Sequence, residues 1–189
     1  MPFFVLLNNL MANTTISCPI PDNINPLSPN GFNFTILKIP SVNFFCQTVN
    51  LPGITFGDPA FANPFASVPI PGDHLTYDTL TVQFLVDENM KNYQAIYNWI
   101  IALGFPQSYD QYVNFAQSDT TALSLNELAN NYSDATLEIL GASNTAVQTV
   151  QFVDMFPISL ESLNFQSTNQ DVTYIVGNAS FRYSYYKFI

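Results

Sequence analysis

Hydrophobic and polar positions alternate most regularly between Thr79 and Val86. Leu80, Val82, Phe84 and Val86 fall on one side, and Thr79, Thr81 and Gln83 on the other. A period of two with one apolar face predicts a half-buried β-strand. Asp87-Glu88-Asn89 follows at once and predicts an N-cap and an acidic first turn, which suit the positive end of a helix dipole. Met90, Tyr93, Tyr97, Ile100 and Ile101 then recur at helical spacing, with Ile96 and Leu103 at the edges of the stripe. An amphipathic helix over about 89–103 is expected, with that stripe inward. Gly104 ends it and Pro106 prevents its continuation.

The rest of the chain patterns mainly as strands. Phe32, Phe34 and Ile36 share a face of a strand over 32–39, which Pro40-Ser41 breaks. Val42–Val49 follows, so a hairpin or a bent ribbon is expected from the pair. Residues 54–72 carry Pro59, Pro64, Pro69 and Pro71 among Phe56, Phe61 and Phe65. Proline cannot donate to a sheet ladder, so this reads as a partly extended contact loop and not a central strand. Its phenylalanines either meet a neighbouring molecule or tuck back onto the domain. Residues 105–133 read as a loop insertion with a short helix near Leu125–Ala129. Asp134–Leu140 is expected as a strand with Leu137 and Ile139 inward and Thr136 and Glu138 outward. Gly141–Thr145 is expected to turn it back into 146–156, where Thr149 and Gln151 lie on the polar face. Pro157 is expected to bend this strand before it continues to 165. A long final strand over 172–188 is expected to bulge at Gly177-Asn178. Its aromatic end, with Tyr185, Tyr186 and Phe188, argues for burial on both faces. Six or seven strands and one flanking helix predict a mainly β fold, a β-sandwich or small barrel, over 31–189. Residues 1–30, rich in Pro, Asn, Ser and Thr from residue 11, read as an extended arm. The start is left open between Met1 and Met11; with Met11, the first ten residues would be an upstream extension.

Composition narrows the possible partners. Lys38, Lys91, Arg182 and Lys187 face 14 acids, for a formal charge of −10. That balance argues against gripping a phosphate backbone or an anionic membrane surface. Charged residues are only 10% of the chain, which suits subunit contacts. Cys18 and Cys46 allow one disulfide or two thiols, and are not a disulfide framework. Cys46, in an apolar strand, is expected to behave as a small hydrophobe.

No pattern supports catalysis. His74 is the only histidine, and with Asp73 and Asp78 it falls short of a metal ligand set. No GxSxG elbow, carboxylate pair or glycine-rich phosphate loop is present. No enzyme activity, cofactor or metal is expected.

Several features occur in a telling order. They are the Gly72-Asp73 turn, Tyr77-Asp78, Thr81-Val82, the acidic cap Asp87-Glu88 and Tyr97-Asn98-Trp99. Upstream lie a Phe-rich strand, Cys46 and Leu51-Pro52-Gly53. Downstream lie Phe156-Pro157 before Leu160 and the closing strand Ala179–Phe188. This ordered set, over roughly 31–188, resembles the tail-tube family of contractile-tailed bacteriophages. The resemblance implies a virion protein assembled in the host cytoplasm. Hexameric rings would stack into a tube through which DNA is ejected without tight binding, with sheath or baseplate proteins as partners. It also implies a role for the polar strand faces in the lumen (Thr79, Thr81, Gln83, Glu138, Thr149, Gln151). Subunit contacts would fall on Phe56, Phe61, Phe65, Tyr185, Tyr186 and Phe188. The Pro-rich arm departs from the pattern and leaves open an initiator or terminator ring at one end of the tube. A different class of reading is a carbohydrate-binding β-sandwich module of a phage tail, using exposed aromatics.

Overall fold

The computed structural model describes residues 26–39, 42, 45–62, 65–104, 107–111, 131–166 and 174–189. Most of the extended arm, Cys18, the 112–130 part of the insertion and its expected short helix lie outside these residues.

The described chain forms eleven strands and one helix. The main sheet contains β1 (Phe32–Ile36), β2 (Cys46–Val49), β7 (Leu80–Leu85), β8 (Ser133–Leu140), β9 (Ala146–Leu160), β10 (Val176–Arg182) and β11 (Tyr185–Phe188). Its order is β1-β8-β9-β10-β7-β2, all antiparallel, with β11 also on β9. The fifteen residues of β9 carry two halves of the fold. The first half pairs with β8 and β11, the second with β10. The two halves meet at Asp154, whose φ of 54° is left-handed. That backbone disfavours most side chains but suits a short polar one, so it bends the strand. Pro157, the residue expected to bend it, instead lies opposite Phe181 inside the ladder. Ser184, where β10 gives way to β11, sits beside the bend. Its N–H donates to Val153 O at 3.0 Å, and its Oγ bonds Asp154 Oδ2 at 3.3 Å. The expected single strand over 172–188 is therefore two strands turning a corner with β9.

Inward residues from both halves meet in one core. Phe34, Ile36, Leu137, Val150 and Phe152 come from one side, and Leu80, Val82, Phe84 and Phe181 from the other. All are buried, and each such side chain stabilises the fold by about 1.5–3 kcal/mol. Gly177 shows how close the packing is: a Cβ there would lie 2.9 Å from Phe84 Cζ. No bulge occurs at Gly177-Asn178, because both pair in register with Phe84 and Gln83. The shift lies three residues on, between Ser180 and Phe181.

Helix α1 (Lys91–Gly104) lies against this core with Asn92, Ile96, Trp99 and Ala102 buried. The expected stripe is thus rotated, and Tyr97 is half exposed. Asn92 explains the phase. Its Oδ1 accepts from Asp87 N at 3.2 Å and Tyr93 N at 2.8 Å, and its Nδ2 donates to Leu85 O at 2.7 Å. A buried amide so satisfied ties the strand end to the helix start and turns that face inward. Asp87 to Met90 form a turn before the helix, not its first turn. Trp99 stacks 6.3 Å from Phe181, donates from Nε1 to Asn131 O at 3.2 Å, and carries Lys38 Nζ 5.5 Å from its ring.

β1 and β2 do not form the expected hairpin. They sit at opposite ends of the strand order, on β8 and β7. The 3₁₀ positions at Val42 and Phe45 replace the start of the expected second strand. Both strands need a nonlocal partner, which their own patterns do not name.

Candidate functional site

The stretch expected as a loop is a projecting two-stage hairpin. β3 (Ile54–Phe56) pairs with β6 (Leu75–Tyr77), and β4 (Ala60–Ala62) pairs with β5 (Ser67–Pro69). Three bonds join the stages: Gly57 N to His74 O, Ile70 N to Pro59 O and Gly72 N to Gly57 O. Prolines fit because a two-stranded ribbon leaves half of its backbone groups unpaired. Gly72 has no substitute, since a Cβ there would lie 2.5 Å from the Gly57 carbonyl oxygen.

This arm carries its apolar side chains outward. Phe65 is 96% exposed and Phe61 63%. Ile54, Phe56, Val68, Ile70 and Leu75 are also exposed. An isolated ribbon is marginal in water, and these exposed apolar side chains make it the candidate contact surface. All three phenylalanines assigned to contact from the sequence lie on it. The C-terminal group is split: Tyr185 and Phe188 are exposed, whereas Tyr186 is half-buried.

The arm's root is held by aromatic residues that the sequence reading placed only on a strand. Tyr183 Oη donates to Asp78 O at 3.0 Å, and Tyr186 Oη to Pro52 O at 3.3 Å. The Tyr77 ring meets both tyrosines edge-on, at 5.8 and 5.7 Å. Phe152 lies under Tyr183 at 5.1 Å. Burial, followed by the nearby Tyr186 and Asp78, pushes the Tyr183 hydroxyl up to about 12.

The six polar residues assigned to a lumen do lie away from the core, but in two groups. Glu138, Thr149 and Gln151 sit together on β8 and β9, with Glu138 opposite Thr149. Asn33 Nδ2 donates to Glu138 Oε2, and Gln151 Nε2 to Asp134 Oδ2, both at 3.1 Å. Thr81 and Gln83 lie on β7 opposite Ser180 and Asn178 of β10. Thr79, just ahead of β7, gives its carbonyl to Asn50 Nδ2. The two groups belong to different halves of the sheet, separated by the bend in β9.

At the end of β7 remote from the arm is a cleft of about 460 Å³. Phe45, Leu85, Val86 and Tyr174 supply its apolar walls, and Asp87 and Glu88 its acidic rim.

The residues considered for other chemistry are otherwise engaged. His74 Nδ1 and Asp73 Oδ1 lie at hydrogen-bond distance, 2.5 Å, on the exposed surface. Among the described residues no three metal-binding side chains gather, and no helix is long and apolar enough to cross a membrane. Cys46 is a free thiol, half-buried, and burial pushes it up to about 11. It behaves as the expected small hydrophobe. Trp99 is fully buried and offers no platform for a sugar.

Residues 15–189 match the family described as phage tail tube protein. Solved structures share the fold at low identity. The tube-terminating cap of the anti-feeding prophage aligns with a TM-score of 0.59 at 15% identity, covering 93% of this chain and 98% of that one. The sheath/tube terminator of the PVC extracellular contractile injection system gives 0.55 at 16%, covering 87% and 97%. The sheath–tube complex of the same system gives 0.55 at 15%, covering 88% and 93%. No curated protein matches the chain.

Proposed function

The chain belongs to the phage tail tube protein family, a structural family, and on that premise we propose that its copies form hexameric rings that stack into a conduit for DNA. The observation that carries this reading is the projecting arm with Phe56, Phe61 and Phe65 outward. Apolar surface on a narrow ribbon is stabilised when another copy covers it. Polarity supports the same reading. The arm leaves the end of the sheet where β2 finishes and β7 begins, and the apolar cleft lies at the opposite end. Different surfaces at two ends make head-to-tail contacts, which generate rings and stacks. Phe188 and Tyr185 add exposed aromatic surface on the edge strand β11.

With few basic residues, the lumen would let DNA pass without adhesion. The bend in β9 separates the polar residues into two groups, and the proposed channel would be lined by one of them. Sheath or baseplate proteins are the expected further partners, and the phage tail the place of action.

Electron microscopy of the purified chain, with mass photometry, tests this reading. Wild type is expected as sixfold hollow rings or tubes. Deletion of residues 56–70 is expected to leave a folded subunit that no longer assembles. A deleted chain that still forms tubes would remove the arm from the interface.

A second reading is a ring that terminates the tube. Its support is the alignment with the terminating cap over nearly the whole of both chains. A terminator alone would give single rings that stay unstacked at any concentration, whereas a tube subunit would give tubes of increasing length.

A further inference from the structure

The arm could swing about its root, because only two backbone rails connect it to the sheet. The lower rail leaves β2 through Pro52 and Gly53, and the upper rail enters β7 through Asp78 and Thr79. Two backbone bonds join the rails at the root, Asp78 N to Gly53 O at 3.1 Å and Asn50 N to Thr81 O at 3.3 Å, and Asn50 Nδ2 adds a bond to Thr79 O at 3.1 Å. Both rails are also gripped from outside by one neighbouring segment. Tyr183 takes the Asp78 carbonyl of the upper rail, and Tyr186 takes the Pro52 carbonyl of the lower rail. These two tyrosines flank the corner where β10 passes into β11 beside the bend of β9. Their rings are fixed in turn. Tyr183 packs on Phe152 of β9, and Tyr186 packs on Phe152 and Phe188. Tyr77, the last residue of β6, is wedged between both rings.

We infer that Tyr183 and Tyr186 are positioning residues for assembly: their hydroxyls clasp both rails of the arm and set the direction in which it leaves the subunit. This deepens, and rests on, the reading of the arm as the assembly element. Two hydroxyls on two rails resist both a swing and a roll of the ribbon, which one contact could not do. Phenylalanine rings in their place would keep the packing on Phe152 without the oxygens. An arm pre-set in direction binds its neighbour without first losing its freedom of orientation, so the clasp acts on assembly more than on folding.

The test compares full-length wild type with Tyr183→Phe/Tyr186→Phe, which keeps both rings and removes only the oxygens. Hydrogen exchange is followed at the arm amides of Gly57, Ile70 and Gly72 and at amides of β8 and β9, in the unassembled subunit. The concentration at which assemblies form is measured alongside. The expected result is arm exchange about tenfold faster, unchanged exchange in β8 and β9, and an assembly concentration about tenfold higher. Tenfold corresponds to about 1.4 kcal/mol. Arm exchange at the wild-type rate, or assembly at the wild-type concentration, overturns the inference. If the double variant does not fold, Tyr186→Phe alone is read in the same way, since Tyr186 is only half-buried and contributes less to the core. The 56–70 deletion separates the two claims. A deleted chain that assembles defeats the arm's role, and the exchange rates still decide the clasp. A deleted chain that fails while the double variant assembles normally defeats the clasp alone.

Discussion

The sheet and the arm are both antiparallel β-structure built from apolar residues, yet they solve opposite problems. In the sheet, Leu80, Val82 and Phe84 all point to one side and meet Phe34, Phe152 and Phe181 in a closed core. In the arm, Phe56, Phe61 and Phe65 stay exposed, at 47%, 63% and 96%. The same kind of side chain thus stabilises the monomer in one place and, in the proposed reading, would favour association in the other. What decides is the presence of a facing layer, not the strand itself. Damage to the sheet should therefore be read in folding, and damage to the arm in assembly.

Trp99→Ala should be the most severe change. It empties a fully buried site between the helix and Phe181 and leaves the Asn131 carbonyl without its donor. A loss of about 3–5 kcal/mol is expected in urea unfolding. Gly177→Ala is expected to cost about 1–3 kcal/mol, because the new Cβ would press on the Phe84 ring. A smaller effect should come from alkali. The Tyr183 hydroxyl titrates near 10 when unfolded and at about 12 when folded, so the folded chain holds its proton more tightly. The resulting stability is complete below pH 10 and is lost as pH rises from about 10 to 12. Tyr183→Phe should flatten that part of the curve of melting temperature against pH. The least change in stability, within about 0.5 kcal/mol, is expected from Phe61→Ser combined with Phe65→Ser. The same pair should abolish assembly in electron micrographs. If it unfolds the subunit while assembly survives in the folded remainder, the division between sheet and arm is wrong.

How far the sequence disclosed this division depends on the range of the interactions. The alternation in 79–86 and in 134–140 sufficed, because one buried face writes itself into every second residue. The turn at Gly141–Thr145 was equally local, and Gly141 N does bond Thr145 O. The helix was legible as a helix but not in phase. Ile96, Tyr97, Trp99, Ile100 and Ile101 nearly encircle it, and the deciding residue is Asn92, which hydropathy places outside. The arm was misread as a loop because its prolines forbid a central strand, and a free ribbon is not central. That Phe56, Phe61 and Phe65 do not sit in a sheet core was nonetheless suggested by the prolines around them, and all three are exposed. Strand partners were out of reach. Phe34 pairs with Leu137 and Asn178 with Gln83, choices made across about 100 residues by the core as a whole. The clasp was hidden for the same reason, since nothing near Tyr183 in the chain points to Asp78.

The position of β10 also governs the order in which the molecule can form. It lies between β9 and β7, and among the described residues no other strand pairs the β7-β2 pair with the β1-β8-β9 group. Until residues 176–182 are in place, no ladder of backbone hydrogen bonds links the two pieces of ribbon, and only core packing and the chain between them can hold them together. Closing such long loops is slow, so the helix and the 141–145 hairpin are expected to form well before the two pieces join. The hydroxyl groups that orient the arm lie just beyond this seam. A nascent subunit is therefore expected to gain its directed arm only in a late step, after the two pieces have joined.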